Sequence, residues 1–158
     1  MKPLYLPAIG VVCLLTSVLT AYAQDTIPNQ VFGTYVTAHT TCFVGPRNAK
    51  GEKTWTDCSN STDTLKIEQN PDTNTQRELP AIVSIDLAFT NGHACSFKGV
   101  AGWSVDRLTA YSGEQPNCQI IMFFFARAAH LVATKECSAH CGARGSLDGV
   151  VLKKQSGL

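Results

Sequence analysis

The chain lacks an excess of charge of either sign, and it lacks charged runs. Its 158 residues contain 13 lysines and arginines against 12 aspartates and glutamates, for a formal net charge of +1. The densest basic group is the pair Lys153-Lys154. Nucleic acids and anionic lipids are bound by clusters of positive charge. The charge balance therefore argues against both as partners.

The motifs of several common active sites are also missing. Cys137 and Cys141 are separated by three residues, where a redox dithiol has two. Ser112 and Ser146 lack the strand-turn-helix setting of a nucleophile elbow. A zinc site would need His140 and its flanking cysteines, but in an oxidising compartment cysteines form disulfides instead. We expect no catalytic activity, no metal and no cofactor.

The longest apolar stretch lies at the N-terminus. It follows Lys2 and ends at Ala21-Tyr22-Ala23, the small-x-small form that signal peptidase recognises. Prolines and polar residues interrupt it, so it falls short of the about 20 apolar residues that span a bilayer. We predict a signal peptide over residues 1–23 and a single domain over residues 24–158, periplasmic or secreted, with no stable membrane anchor. Without the leader, 12 cationic residues face 12 acidic ones.

Removal of the leader turns an odd count of seven cysteines into an even six. In an exported chain this count predicts disulfides, each contributing on the order of 2–4 kcal/mol. Six cysteines allow fifteen pairings. Pairing neighbours along a meander predicts Cys42–Cys58, Cys95–Cys118 and Cys137–Cys141. The last pair requires a sharp turn, so pairing of Cys118 with Cys137 or with Cys141 remains open.

The mature sequence has almost no helical periodicity, and short strand patterns alternate with turns. The clearest pattern covers residues 83–89, and Asn91-Gly92 then supplies the left-handed residues of a tight hairpin turn before a return strand over 95–103. Cys118 to Phe125 is apolar on both faces, which predicts a strand covered on both sides or one whose outer face meets the longer loops. Further strands are predicted at 31–38, 53–57, 64–68, 108–111, 131–135 and 147–153.

Eight or nine short antiparallel strands predict an all-β fold. We predict a small antiparallel up-and-down barrel stapled by disulfides, with a flattened β-sandwich as the alternative. The similar segments SFKGV (96–100) and SLDGV (146–150) each place a glycine in a predicted strand, where it lets the sheet bend toward closure. The side chains predicted to line the interior are Phe89, Phe97, Trp103, Phe123 and Leu131.

Two turns carry the candidate binding residues. In the segment SGEQPN, Ser112 and Gly113 follow Tyr111 and present a hydroxyl and an aromatic ring at a loop. Loops of this kind can enter the cleft of another protein. Arg144 and Asp148 bracket the closing glycine-rich turn, either as a surface patch or as a local ion pair worth under about 1 kcal/mol.

The C-terminal part carries the pattern Cys-x-x-x-Cys-Gly-Ala-Arg-Gly-Ser-Leu-x-Gly. It resembles the signature of small exported proteobacterial proteins, mostly uncharacterised, and the similarity covers about residues 94–153. The residues that carry it are Cys95, Gly99, Cys118, Cys137, Cys141, Gly142, Ala143, Arg144, Ser146, Leu147 and Gly149. The chain is also similar to the bacterial lysozyme inhibitors, which are small exported β-barrels with disulfides. Their loop motif, Ser-Gly followed by lysine or tyrosine, is matched by Ser112-Gly113 and by no residue after it.

The sequence therefore predicts an exported, non-catalytic binding module. The resemblance implies a protein or cell-wall component as the partner, and specifically the inhibition of a cell-wall hydrolase such as lysozyme. The alternative function is a carrier that holds a small apolar ligand in the barrel interior. The oligomeric state is left open.

Overall fold

A computed structural model describes residues 26–71 and 79–156, so the predicted signal peptide lies outside the described residues. Eight antiparallel strands each pair with the next one along the chain, and the last pairs with the first to close a barrel. The predicted up-and-down barrel is thereby confirmed. The strands are β1 (Gly33–Val44), β2 (Thr56–Gln69), β3 (Ala81–Ala88), β4 (Ala94–Ser104), β5 (Arg107–Ser112), β6 (Gln119–Phe125), β7 (Ala128–Ala133) and β8 (Val151–Lys154). Short 3-10 helices cover Asn29–Val31, Thr90–Gly92 and Lys135–His140.

The first two strands are much longer than the sequence pattern predicts. They pair with each other from Gly33 opposite Ile67 to Val44 opposite Thr56. Only the first part of β1 and the last part of β2 belong to the barrel wall. There β8 pairs with Tyr35 and Val36, and β3 pairs with residues 64–69. The rest of the two strands continues beyond the wall as a two-stranded ribbon, residues 40–60. The sequence of the ribbon has no alternating apolar pattern, because none of the buried apolar residues of the core lies in it.

Side chains fill the barrel interior. Twelve of the largest are under 2% exposed: Val31, Tyr35, Leu65, Ile67, Val83, Ile85, Phe97, Leu108, Ile120, Met122, Leu131 and Leu152. Burying each aliphatic or aromatic side chain of this size stabilises the fold by about 1.5–3 kcal/mol. Val31 lies in the 3-10 helix that precedes β1. The other eleven lie on strands, where alternation places them inside and their neighbours outside.

The prediction of the five side chains that line the barrel interior is partly wrong. Phe97 and Leu131 are buried in the core, and Phe89 and Trp103 are partly buried against it. Phe123 instead lies on the outer face of β6, where the Arg107 guanidinium carbon is 5.6 Å from the centroid of its ring. Its neighbours Met122 and Phe124 on the other face of the strand pack toward the interior.

The outer face of β6 is only partly covered. Ile121 and Phe123 are half-buried, and Phe125 is 64% exposed. The aromatic rings of Phe123 and Phe125 stack on each other at 6.4 Å between centroids. The expectation that this strand is covered on both sides is therefore wrong at Phe125. A closed barrel has one sheet, so its outer face meets solvent unless a loop crosses it.

The disulfide pairs are Cys42–Cys58, Cys95–Cys141 and Cys118–Cys137. The first predicted pair is confirmed, and the option that joins Cys118 to Cys137 is also confirmed. The predicted pairs Cys95–Cys118 and Cys137–Cys141 are wrong. Strand β5 separates the starts of β4 and β6, which keeps Cys95 from Cys118. The 3-10 helix from Lys135 to His140 directs Cys137 toward β6. Cys141 follows the helix and forms an isolated antiparallel β-bridge with Cys95, which brings those two cysteines together.

Candidate functional site

All three disulfide bonds lie at one end of the barrel. This disulfide end consists of the connections 45–55, 89–93, 113–118 and 134–150. One bond closes the ribbon, and the other two tie the starts of β4 and β6 to the long connection between β7 and β8. The strands constrain these connections only at their two ends. The disulfide bonds restrict the connections further by joining them to other parts of the disulfide end.

The exposed part of the connection between β5 and β6, residues 113–117, forms a loop that is closed on itself by hydrogen bonds. Ser112 ends β5 and is only 7% exposed. Its Oγ accepts the backbone N–H groups of Glu114 at 3.2 Å and of Gln115 at 3.1 Å. The N–H of Cys118 donates to the Gln115 carbonyl at 2.9 Å. Serine forms local bonds of this kind in turns, and here they fix the conformation of the loop.

Ser112 also joins this loop to the 3-10 helix at Lys135–His140. Its Oγ lies 3.1 Å from Nε2 of His140, whose ring packs edge-on against Phe97 with centroids 5.2 Å apart. Which of the two atoms donates depends on the tautomer of His140. A hydroxyl and an imidazole at this distance also occur in nucleophile–base pairs. Here the buried hydroxyl faces the loop amides, so the contact positions the loop.

The tip of the loop is open to solvent, and its neighbour Tyr111 faces another surface. Residues 113–117 are all exposed, and among the described residues no heavy atom apart from those of Gly113 and its two chain neighbours lies within 4 Å of the position of a Cβ at Gly113. Tyr111 lies on the outer face of β5 and is 37% exposed, opposite Val100 and Gln119. The three residues predicted from the sequence as one binding group are thus an outer-face aromatic ring, a buried anchor and an exposed tip.

The other two predicted residues, Arg144 and Asp148, are both exposed but do not form an ion pair with each other. Oδ1 of Asp148 accepts the backbone N–H of Ala133 at 3.0 Å, and its own N–H donates to Oγ of Ser146. The carboxylate therefore fastens the closing turn to β7. The predicted local ion pair is wrong, because the carboxylate bonds to a strand amide.

A cavity of about 360 Å³ separates the 3-10 helix from this closing turn. Its lining includes Lys135, Ser138, Ser146 and Asp148. Ser112 contacts the end of the same 3-10 helix through His140. The two groups of predicted residues therefore flank one short helix at the disulfide end and do not converge on a common point.

A second polar cluster fastens the ribbon to β3. Oδ1 of Asp63 accepts the N–H of Ala88 at 2.9 Å, and Oδ2 lies 3.5 Å from Nδ1 of His39. Nε2 of His39 lies 2.9 Å from the Ala88 carbonyl. Nearby, the hydroxyls of Thr41 and Ser61 are 2.6 Å apart. These bonds link β1, β2 and β3 at the base of the ribbon, where it leaves the barrel.

Sequence reasoning missed the contact between Ser112 and His140. The two residues are 28 positions apart, and neither stands in a motif that relates them. The even cysteine count predicts that Cys118 is bonded, but only its pairing with Cys137 brings the 3-10 helix to the loop. Closure of the barrel and the choice of disulfide partner together create the contact.

Comparison with known proteins found no match: no family model, no curated protein and no solved structure matches this chain. Within residues 26–71 and 79–156, no group of three histidine, cysteine, aspartate or glutamate side chains is placed to hold a metal ion. In the same ranges no helix has the length and apolarity needed to cross a membrane. Three disulfides indicate an oxidising environment outside the cytoplasm.

Proposed function

We propose that the protein is a non-catalytic binding module that inserts the tip of the loop at 113–117 into the cleft of a partner protein. The observation that carries this proposal is the anchoring of the loop by Ser112. Its Oγ accepts hydrogen bonds from two backbone N–H groups of the loop and contacts His140. The disulfide Cys118–Cys137 joins the end of the loop to the 3-10 helix at Lys135–His140. A loop fixed before binding avoids an ordering cost of about 0.5–1.5 kcal/mol for each side chain already held.

A cell-wall hydrolase such as a lysozyme is the proposed partner. The support is the resemblance of Ser112-Gly113 to the loop motif of the bacterial lysozyme inhibitors, together with the exposure of Gly113 at the tip. The near-balance of charge suits docking by shape, since strong electrostatic steering requires opposite net fields. Export to the periplasm or to the medium would bring the protein to the compartment in which such enzymes act.

The alternative function, a carrier for an apolar ligand, draws less support from the packing. A carrier needs space inside the barrel, as in larger ligand-binding barrels. Here Phe97, Ile120, Met122 and Leu131 occupy that space and are at most 2% exposed. A ligand would have to displace these side chains from the core.

The proposal is tested by measuring lysis of cell-wall suspensions by purified lysozymes in the presence of the mature protein. We expect inhibition by the wild type. The double variant Glu114→Ala/Gln115→Ala is expected to weaken inhibition at least tenfold, because the proposal places both side chains at the centre of the contact. Truncating a hot-spot side chain there costs about 2 kcal/mol or more, and a tenfold loss of affinity corresponds to about 1.4 kcal/mol. Both side chains are exposed, so the melting temperature should stay unchanged.

Lys50→Ala serves as the matched control, because Lys50 is exposed in another loop of the disulfide end. It is expected to inhibit like the wild type. Equal inhibition by the wild type and the double variant would contradict insertion of the 113–117 loop. A rise in melting temperature with peptidoglycan fragments or with apolar ligands, and none with lysozyme, would favour a cell-wall or carrier function instead.

A further inference from the structure

The end of the barrel opposite the disulfide end contains a cavity of about 350 Å³. It opens between the 3-10 helix at Asn29–Val31, the turn between β6 and β7, and the end of β8. Apolar side chains form one side of it: Val31, Tyr35, Phe124 and Phe125. The rings of Tyr35 and Phe124 lie 5.8 Å apart, and Phe125 is 64% exposed at the rim.

Two cations, Arg127 and Lys154, form the other side. Nζ of Lys154 donates to the Gln30 carbonyl at 2.5 Å and lies 5.8 Å from the centroid of the Tyr35 ring. Nη2 of Arg127 donates to Oγ of Ser156 at 3.3 Å. Within the part of the chain that the structure describes, neither cation has a carboxylate at ion-pair distance, and no acidic residue lines the cavity.

The backbone holds Arg127 at this position against its local preference. Ala126 and Arg127 connect β6 to β7 with φ of 44° and 68°. The left-handed conformation disfavours residues with a Cβ, and tight hairpins usually place asparagine and glycine there. A glycine at position 127 would relieve the backbone and remove the guanidinium from the cavity.

The Tyr35 phenol adds no negative charge to the site. Burial raises the pKa of Tyr35 to about 12, so the group is neutral at physiological pH. Its hydroxyl donates to the Val31 carbonyl at 2.8 Å. The cavity therefore combines aromatic surface with two positive charges, and among residues 26–71 and 79–156 neither has an anionic partner.

We propose that this cavity binds a small carboxylate that carries a flat apolar group. Arg127 and Lys154 bind the carboxylate, since charge-assisted bonds from a guanidinium are among the stronger hydrogen bonds in proteins. Phe124 and Phe125 contact the apolar group. The volume lies at the lower end of the about 300–1,000 Å³ found for ligand pockets, which suits a ligand of about a dozen non-hydrogen atoms. The site is separate from the loop at 113–117, and the proposal does not depend on the proposed function.

The test measures binding of three probes that share a phenylbutyl skeleton, using isothermal titration calorimetry on the mature protein. They are 4-phenylbutyrate, its neutral amide and the cation 4-phenylbutylamine. We expect 4-phenylbutyrate to bind with a Kd of about 1 mM or tighter. The amide should bind at least tenfold more weakly, and the amine should show no binding.

Arg127→Gln and Lys154→Gln should each weaken binding of 4-phenylbutyrate about tenfold, the effect of losing one charge-assisted hydrogen bond. Glutamine keeps a Cβ at position 127, so the turn is not relieved by the change. Lys153→Gln is the matched control, because Lys153 is exposed on the outer face of the same strand and does not line the cavity. It should bind like the wild type.

Amide chemical shifts map the site independently of the variants. On addition of 4-phenylbutyrate, shifts are expected at residues 124–128 and 152–155. Equal affinity for the three probes, binding that survives both cation variants, or shifts centred on the disulfide end would each overturn the proposal.

Discussion

Tyr35 is the polar side chain buried most deeply among the large residues of the core, with 2% of its surface exposed. Its hydroxyl donates to the Val31 carbonyl at 2.8 Å. Burial raises its pKa from 10.0 to about 12, because the phenolate would lose its hydration. The folded protein therefore holds this proton more tightly than the unfolded chain between pH 10 and 12, and folding stability falls as the pH rises through that range.

The variant Tyr35→Phe isolates this effect. At pH 7 it should be about 1 kcal/mol less stable than the wild type, because it lacks the hydrogen bond to Val31. Below pH 10 the wild type keeps its full advantage, and between pH 10 and about 12 it loses on the order of 2 kcal/mol that the variant does not lose. Urea unfolding at intervals from pH 7 to 11.5 measures both curves.

Tyr111→Phe is the control, because it removes the same group from an exposed position. Its curve should run parallel to that of the wild type. Parallel curves for Tyr35→Phe and the wild type would show that the buried phenol does not titrate as described.

The run Phe123-Phe124-Phe125 shows where sequence reasoning reaches its limit at the level of residues. Alternation predicts which residues share a face, but a run that is apolar on both faces does not say which face is inside. Contacts with other strands decide it, because the Phe124 ring packs 5.8 Å from Tyr35 and 6.0 Å from Trp103. Phe123 consequently lies outside, beside Arg107.

At the level of elements, strands that pack on the core were predictable and the ribbon was not. Residues 83–89 alternate clearly, and β3 covers nearly the same range, Ala81–Ala88. The polar residues 56–63 carry no such pattern, yet they form β2 because every residue from Thr56 to Ile67 pairs with β1. Apolar burial does not stabilise this segment. Backbone pairing with β1 and the disulfide Cys42–Cys58 stabilise it instead.

The similar segments SFKGV (96–100) and SLDGV (146–150) differ in where the folded barrel places their glycines. Gly99 lies within β4, and a Cβ at this position would be 2.2 Å from the Tyr111 carbonyl oxygen, so the backbones of β4 and β5 approach each other too closely here for any other residue. Gly149 precedes β8 in a turn and has φ of 75°. The predicted last strand over 147–153 therefore begins later, at Val151, and only one of the two similar segments places its glycine within a strand.

Removing disulfides one at a time should separate the ribbon from the barrel. The bonds Cys42–Cys58 and Cys95–Cys141 span 16 and 46 residues. Loop-closure entropy assigns them about 3 and about 4 kcal/mol. In Cys42→Ser/Cys58→Ser, hydrogen exchange should speed up mainly at residues 41–59, because those strands continue beyond the barrel wall.

In Cys95→Ser/Cys141→Ser, exchange should speed up across the connection 134–150 and into β4, and the melting temperature should fall further. Hydrogen exchange followed by mass spectrometry measures both patterns. Global loss of protection in the ribbon variant, with the melting temperature falling as far as in the other variant, would contradict a ribbon that unfolds separately.

At the level of the whole molecule, the two ends of the barrel are built differently. One end holds the three disulfides and the anchored loop at 113–117, and the other holds the cavity with Arg127 and Lys154. The count and spacing of strands sufficed to predict an all-β barrel. The sequence left the pairing of Cys118 with Cys137 as one of several options, and it did not predict the pairing of Cys95 with Cys141. Those two cysteines meet only after the connection between β7 and β8 folds back over the barrel end.

The account depends most on the oxidised pairing at the disulfide end, because that pairing fixes the loop that we propose to bind a partner. Mass spectrometry of peptides from the mature protein, digested without reduction, tests it directly. We predict three cross-linked peptide pairs, joining Cys42 to Cys58, Cys95 to Cys141 and Cys118 to Cys137. A free thiol at any of these six positions, or a peptide in which Cys137 is bonded to Cys141, would contradict it.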